Sequence, residues 1–223
     1  MARRAEGGNG EGATAYERGS EEFIRVLSFS DAIFAIAMTL LVIGIEVPKL
    51  DSANSVGDLA DALNDLSDSM ASFFIGFAVI GRYWIAHHQF FSKLARFDSG
   101  MIGINLVYLA FVAFLPFPTA LLGDYFGNPL SVATYAVAVA IVSGLEVVEF
   151  RHAYRHDLFH ERIPPDVYRW GVLSSLSPLG FFLASIPVAF ANTGLAVAVW
   201  FLVIPWQLAI RRWKPERADE LLS

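Results

Sequence analysis

The sequence predicts an all-α integral membrane protein with six transmembrane helices. Apolar residues make up 55% of its 223 positions and charged residues only 17%, whereas a soluble domain carries about 25% charged residues. Six apolar segments are long enough to cross a bilayer, and most charged residues lie in the connections between them. These observations favour a polytopic membrane protein over a soluble one.

The six predicted spans follow from the length of each apolar segment. A bilayer core about 30 Å thick requires roughly 20 apolar helical residues per crossing. Residues 32–45 (AIFAIAMTLLVIGI) contain no charge, and the second segment is more polar because Arg82, His87 and His88 interrupt it. The predicted spans cover residues 23–47, 69–92, 99–122, 130–150, 168–191 and 194–213.

Basic residues occupy alternate connections, and this pattern predicts the orientation of the helices. Lys and Arg concentrate on the cytoplasmic side of membrane proteins. If the N-terminus is cytoplasmic, so are 14 of the 16 basic residues; Lys49 then lies outside and Arg82 within a span. We therefore expect both termini in the cytoplasm and a multi-pass protein of the plasma or bacterial inner membrane. The predicted divisions are a flexible tail (residues 1–22), a six-helix domain (23–213) and a C-terminal tail (214–223).

Composition also excludes several kinds of site. The chain contains no cysteine, which rules out a disulfide framework, thiolate catalysis and cysteine-based metal sites. Its net charge of −6, without a basic face, does not suggest nucleic-acid binding. We expect no cofactor and no enzymatic activity.

The start of the first span carries the densest group of polar residues. Arg25, Phe29, Ser30 and Asp31 run directly into the apolar segment, and an ionisable group inside a span is a candidate functional residue because it is costly there. At 100° per residue around the helix axis, apolar side chains form a stripe roughly 60° wide on one face of the first span. Asp31 lies about 140° from Ile36 around the same axis. The stripe contains Phe29, Ile36, Leu40, Ile43 and Val47, with Thr39 at its edge.

The segment Arg25-x-x-x-Phe29-Ser30-Asp31, followed by an Ala-Ile…Thr-Leu-Leu run, resembles the first-helix signature of the transmembrane protein 175 potassium channels. The six-span layout and the chain length agree with that family. The resemblance implies a homotetramer in which four first helices surround the pore, with Ile36 at the narrowest position. Thr39 follows one turn further out, and Leu40 and Ile43 line the pore beyond it.

The same resemblance implies a cation channel with a hydrophobic constriction in place of a TVGYG filter, and the chain contains no TVGYG segment. We expect potassium to permeate in preference to sodium, with imperfect selectivity that admits other monovalent cations. Ala35 stands where some relatives have a serine just before the constriction, so the exact selectivity stays open.

Polar residues of the second and third spans lie at a depth similar to that of the motif. We predict an inter-helix network that positions the pore helix, formed by Arg25, Asp31, Trp84, His87 or His88, Asp98 and Asn105. The resemblance supports the Arg–Ser–Asp part of this network. For the histidines, proton sensing and a structural hydrogen bond both remain open, and the structural interpretation is favoured.

A histidine repeat follows the fourth span. His152, His156 and His160 recur at i, i+4 and i+8 on one helical face. Two such histidines and a carboxylate can bind zinc, but a solvated basic extension of the helix is favoured, and no metal is predicted.

Three other functions compete with the channel hypothesis. A proton-coupled transporter would use Asp31, Arg82, the adjacent histidines and Glu146, but these charges cluster near the cytoplasmic ends rather than the midplane where such sites lie. A membrane metalloenzyme would need a second ligand cluster, which the sequence does not show. A non-conducting scaffold is the remaining alternative.

Overall fold

The computed structural model describes residues 15–50, 55–218 and 221 of the chain. Six helical segments in this part are long and apolar enough to cross a membrane, so the predicted six-span all-α fold is confirmed. The largest difference in boundaries is at the fourth span, which ends at residue 155 rather than 150. The segments are Glu21–Gly44, Ser67–Ser92, Ser99–Asp124, Pro129–Arg155, Pro165–Ala189 and Thr193–Trp213.

The described chain contains the following helices, with two short strands near the first and third spans. In chain order the elements are β1 (Tyr16–Glu17), α1 (Glu21–Leu40), α2 (Val56–Asp65), α3 (Ser67–Ser92), β2 (Arg96–Phe97), α4 (Ser99–Phe114), α5 (Pro116–Asp124), α6 (Pro129–Arg155), α7 (Pro165–Ala189), α8 (Thr193–Phe201) and α9 (Val203–Ile210). Short 3₁₀ turns over Leu41–Gly44 and Arg211–Trp213 extend α1 and α9. α2 lies between the first and second spans.

Prolines explain where the third and sixth spans divide. Proline has no amide hydrogen, so it cannot bond the carbonyl four residues earlier. Pro116 begins α5 and Pro205 lies in the first turn of α9, and the helices break just before them. α7 remains continuous through Pro178, because the Ser174 carbonyl that this proline leaves free accepts a hydrogen bond from Gln207 Nε2 at 2.9 Å.

Three connecting segments meet at one end of the helix bundle. β1 pairs antiparallel with β2, the Leu94 and Phe159 backbones form a bridge, and Arg18 contacts both the Ser92 carbonyl and His160. We call this region, formed by residues 16–20, 93–98 and 156–163, the basic end. The distribution of Lys and Arg predicts that all three segments lie on the same side of the membrane.

Described residues of both predicted tails contact the rest of the chain. Residues 16–17 form β1, and α1 already begins at Glu21 because Ser20 accepts a hydrogen bond from the Phe23 amide at 3.2 Å. At the other terminus, Ala218 and Leu221 are buried against Ile163 and Val167. Residues 1–14 of the predicted N-terminal tail lie outside the described part of the chain.

Close helix packing gives a testable consequence at Gly123, where α5 crosses α3. An added Cβ there would lie 2.5 Å from Ser72 Oγ and 2.9 Å from Ser69 Cα, so the two helices would have to separate. We expect Gly123→Ala to lower the free energy of unfolding by about 1–3 kcal/mol, the usual cost of overpacking. Thermal unfolding in detergent measures this effect.

Gly180 provides the matched control, since it also lies within a helix but has no atom within 4 Å of an added Cβ. Gly180→Ala is expected to be neutral or to stabilise the helix by up to about 1 kcal/mol. Equal losses from both substitutions would contradict the proposed close approach at Gly123.

Candidate functional site

One face of α1 packs into the protein. Ser30, Phe34, Ala37 and Leu41 are buried and recur every three or four residues, which places them on one side of the helix. The apolar members join a core cluster that includes Ile80 of α3 and residues of α4. α1 is therefore held on this side by its own subunit.

A chain of hydrogen bonds joins this buried face to two other spans. Ser30 Oγ donates to the Val26 carbonyl at 2.9 Å and accepts from Asn105 Nδ2 at 3.0 Å. Asn105 Oδ1 lies 3.0 Å from His87 Nε2. In this arrangement the amide oxygen can only accept, so His87 carries its proton on Nε2. The bonds fix α1, α3 and α4 relative to one another, because unpaired polar groups in such a buried position would be costly.

Aromatic rings enclose His87. The ring centroids of Phe34, Phe91 and Tyr108 lie 5.4, 3.9 and 5.5 Å from that of His87, and only 3% of His87 is exposed. This enclosure favours the structural interpretation of His87 over proton sensing.

Asp31 is bound by Trp84 rather than by a histidine. Trp84 Nε1 donates to Asp31 Oδ1 at 2.9 Å, and both residues are exposed in the single chain. The ring of His88 lies beside Trp84, with the centroids 5.8 Å apart. Arg25 is exposed and forms no ion pair with another described residue. The structure thus joins Asp31 and Trp84, and brings Ser30, His87 and Asn105 together separately.

The bond between Trp84 and Asp31 predicts a stability difference. Trp84→Phe keeps an aromatic ring but removes the donor to the carboxylate, and we expect it to lower the free energy of unfolding by about 1 kcal/mol. Trp213→Phe is the control, because Trp213 is 71% exposed and bonds no described residue through its indole nitrogen. Thermal unfolding of both variants in the same detergent makes the comparison; an equal response would contradict the role of the bond.

The predicted pore residues lie on a different face of α1, about 120° from the buried one. Ile36, Leu40 and Ile43 are 52%, 40% and 70% exposed. Phe29 and Thr39 are also exposed, and Thr39 Oγ1 donates to the Ile36 carbonyl at 2.9 Å. No described residue of the same chain covers this stripe, which leaves it free to face lipid or other subunits.

Asp98 belongs to a separate cluster at the basic end. Its Oδ1 accepts a hydrogen bond from the Met101 amide at 2.7 Å and so caps α4. His152 Nε2 lies 2.9 and 3.0 Å from the two carboxylate oxygens, and His156 Nδ1 lies 3.3 Å from Oδ2. Burial opposes ionisation of Asp98, but the bonds from Met101 and His152 outweigh it and keep its pKa below its ordinary value.

Two parts of this geometry differ from the prediction made from the sequence. Phe34, which packs against His87, lies one turn after Ser30, and this spacing could have identified it as a member of the buried face. The histidine repeat was noticed, but its carboxylate partner comes from the connection before α4. The third histidine of the repeat, His160, instead contacts Arg18.

Comparisons with known proteins identify the family. A model described as "Endosomal/lysosomal potassium channel TMEM175" matches residues 25–116, beginning at Arg25 of the motif. A protein of Streptomyces collinus named as a potassium channel is 36% identical over 180 residues, which cover 78% of this chain and 85% of the relative. The chain belongs to the TMEM175 family.

Two further TMEM175 comparisons agree. A potassium channel of Chamaesiphon minutus is 32% identical over 191 residues, covering 80% of this chain and 90% of the relative. The crystal structure described as a lysosomal potassium-selective channel TMEM175 homologue from that organism superposes with a TM-score of 0.68 at 32% identity. The superposition covers 86% of this chain and 99% of the Chamaesiphon chain. The resemblance seen in the first-helix motif is confirmed at the level of the family.

Proposed function

We propose that this chain forms a potassium channel in which α1 of each subunit lines a central pore. The observation that carries the proposal is the exposed stripe of Ile36, Leu40 and Ile43, which no described residue of the same chain covers, on the helix that bears the family motif. The names of the bacterial relatives support potassium as the permeant ion.

Several copies of the chain are needed to enclose such a pore. A stripe roughly 60° wide on one helix covers only part of a pore wall, and closed rotational symmetry is the usual way for identical subunits to complete it. We infer a homotetramer from the family resemblance. Four copies of Ile36 then form the narrowest ring, with Thr39, Leu40 and Ile43 beyond it.

The constriction selects ions without a cage of backbone carbonyls. A ring of aliphatic side chains repels water and obstructs ions, and a slight widening lets water and ions through. Potassium sheds its hydration shell more readily than sodium, so a narrow apolar ring favours potassium. The discrimination is imperfect, because no ligand replaces the lost water, and other monovalent cations pass at lower rates.

Polar contacts on two sides of α1 set its rotation in this mechanism. Asn105 and His87 hold Ser30 on one side of the helix, and Trp84 holds Asp31 on another. With two sides fixed to its own subunit, the third side, which bears Ile36, is directed to the symmetry axis.

We propose that the protein lies in a plasma or inner membrane, with both termini and the basic end on the cytoplasmic side. The distribution of Lys and Arg supports it. The relatives are named as channels, which are not enzymes. No observation on this chain favours the proton-coupled transporter over a channel.

Cysteine modification tests the pore lining directly, because the chain has no cysteine of its own. We expect a cationic methanethiosulfonate reagent to abolish potassium flux through Ile43→Cys in liposomes, since the bulky adduct would occupy the pore. Leu208→Cys is the control, because Leu208 is similarly apolar and is 57% exposed on the last span. Loss of flux in both variants, or in neither, would contradict α1 as the pore helix.

A further inference from the structure

We infer that Asp98, His152 and His156 form a binding site for one zinc ion at the basic end. Each residue offers a ligand atom, and the three atoms all lie within 4.8 Å of one another. Small adjustments of the side chains would place them around one ion at the distances that zinc requires, about 2.0–2.2 Å for imidazole nitrogen and carboxylate oxygen.

The local structure brings these ligands together from two elements. His152 and His156 are one turn apart at the end of α6, and their rings stack with centroids 4.1 Å apart. Asp98 is held in place by its hydrogen bond to the Met101 amide, which caps α4. Orientation of a metal-binding carboxylate by a second hydrogen bond is typical of metal sites.

Gly100 supplies the space that the cluster needs. An added Cβ at this position would lie 2.7 Å from His152 Cε1 and 3.1 Å from its Nε2. A residue with a side chain here would push the imidazole away from Asp98. The absence of a side chain at Gly100 therefore allows the ligand set to form.

The type and exposure of the ligands favour zinc. Two imidazoles and one carboxylate suit zinc, with a fourth tetrahedral position left for water, whereas calcium and magnesium prefer all-oxygen sites. The side chains of Asp98 and His152 are mostly buried, while that of His156 is 54% exposed. The site is thus shaped by the protein and still open to ions from solution.

The ion would connect the end of α6 to the start of α4. Asn105 lies seven residues after Asp98, about 10 Å along α4, and it bonds Ser30 of α1. Zinc would therefore stabilise the support of the pore helix, a consequence that rests on the proposed function. Binding itself does not depend on it.

Titration with zinc chloride tests the site on the full-length protein in detergent, purified with a tag that contains no histidine. We expect one zinc ion per chain by calorimetry, a higher melting temperature with zinc, and no response to magnesium. Cobalt should give the visible absorption of a tetrahedral complex. The double variant His152→Gln/His156→Gln should bind zinc at least about tenfold more weakly.

Two further variants keep the test independent of folding. Asp98→Asn retains a good helix cap but loses the charged ligand, so it should remain folded and also bind zinc at least about tenfold more weakly. His160→Gln is the control, because His160 contacts Arg18 outside the cluster, and it should bind zinc as the wild type does.

The inference would be overturned if the wild type bound no zinc, or if the folded Asp98→Asn and double-histidine variants bound it as tightly as the wild type. Zinc binding without any effect on potassium flux would leave the site in place and contradict only its link to the pore. Absence of potassium flux from the wild type both with and without zinc would contradict the proposed function and leave the binding site unaffected.

Discussion

Replacing Ile36 by asparagine is expected to raise cation flux about tenfold, the factor produced by a barrier lower by about 1.4 kcal/mol, and to reduce the preference for potassium over sodium. An aliphatic ring obstructs ions because water withdraws from it. Four amide side chains would keep the constriction hydrated, so that sodium no longer has to shed its shell. Ion flux from liposomes, normalised to incorporated protein, measures both effects.

Ile204→Asn is the matched control for this experiment. Ile204 is 61% exposed on α9, compared with 52% for Ile36 on α1, so both substitutions place the same polar group at a similarly exposed position of a spanning helix. The control should leave flux and selectivity unchanged. If Ile204→Asn changed them as much as Ile36→Asn, the effect would reflect general disturbance of the helices rather than a constriction.

Removal of Asn105 should have the second largest effect, because this residue links two buried groups. Asn105→Ala leaves both His87 and Ser30 without their shared partner. Ser30 keeps its bond to the Val26 carbonyl, but the Nε2 proton of His87 loses its acceptor, and one unsatisfied buried group costs about 1–3 kcal/mol. We expect a lower melting temperature in detergent. We also expect a lower potassium flux per folded channel, since α1 loses the contact that sets its rotation.

Gln207→Ala is the control that separates a loss of protein stability from a change in the position of α1. Gln207 makes two bonds to Ser174, at 3.1 and 2.9 Å, between the fifth and sixth spans, and neither residue takes part in the bonds that join α1 to α3 and α4. This variant should also melt earlier but conduct normally per folded channel. Normal conduction by folded Asn105→Ala would contradict the positioning role of the network.

Much of the fold could be predicted because a bilayer imposes a simple requirement on sequence. Each crossing needs a long apolar helix, so the six spans were visible from hydrophobic length alone. The division of the third span at Pro116 was not predicted, because the apolar pattern continues across it. The short pairing of β1 with β2 was missed as well, since two residues are too few to show a strand pattern.

The polar contacts were predicted in part. Ser30, Asp31, Trp84, His87 and Asn105 were identified because ionisable and polar groups inside spans need partners. Which of these residues bond to one another could not be predicted. Trp84 binds Asp31 and His87 binds Asn105, and this choice depends on the rotation of each helix, which sequence spacing does not determine between different spans.

The partners of Asp98 could not be predicted from the sequence either. Its predicted depth in the membrane favoured a place beside Asp31. In the structure Asp98 caps α4 at the basic end and contacts His152 and His156 instead. The partners are separated by more than fifty residues, and only the packing of α4 against α6 brings them together.

Ion flux from liposomes reconstituted with the wild-type protein is the most direct test of whether this chain forms a potassium channel. The vesicles would carry either a potassium or a sodium gradient, and protein-free vesicles provide the background. We expect an electrogenic flux that is larger for potassium than for sodium and increases in Ile36→Asn. Properly inserted wild type and Ile36→Asn that both show no electrogenic flux would contradict the channel.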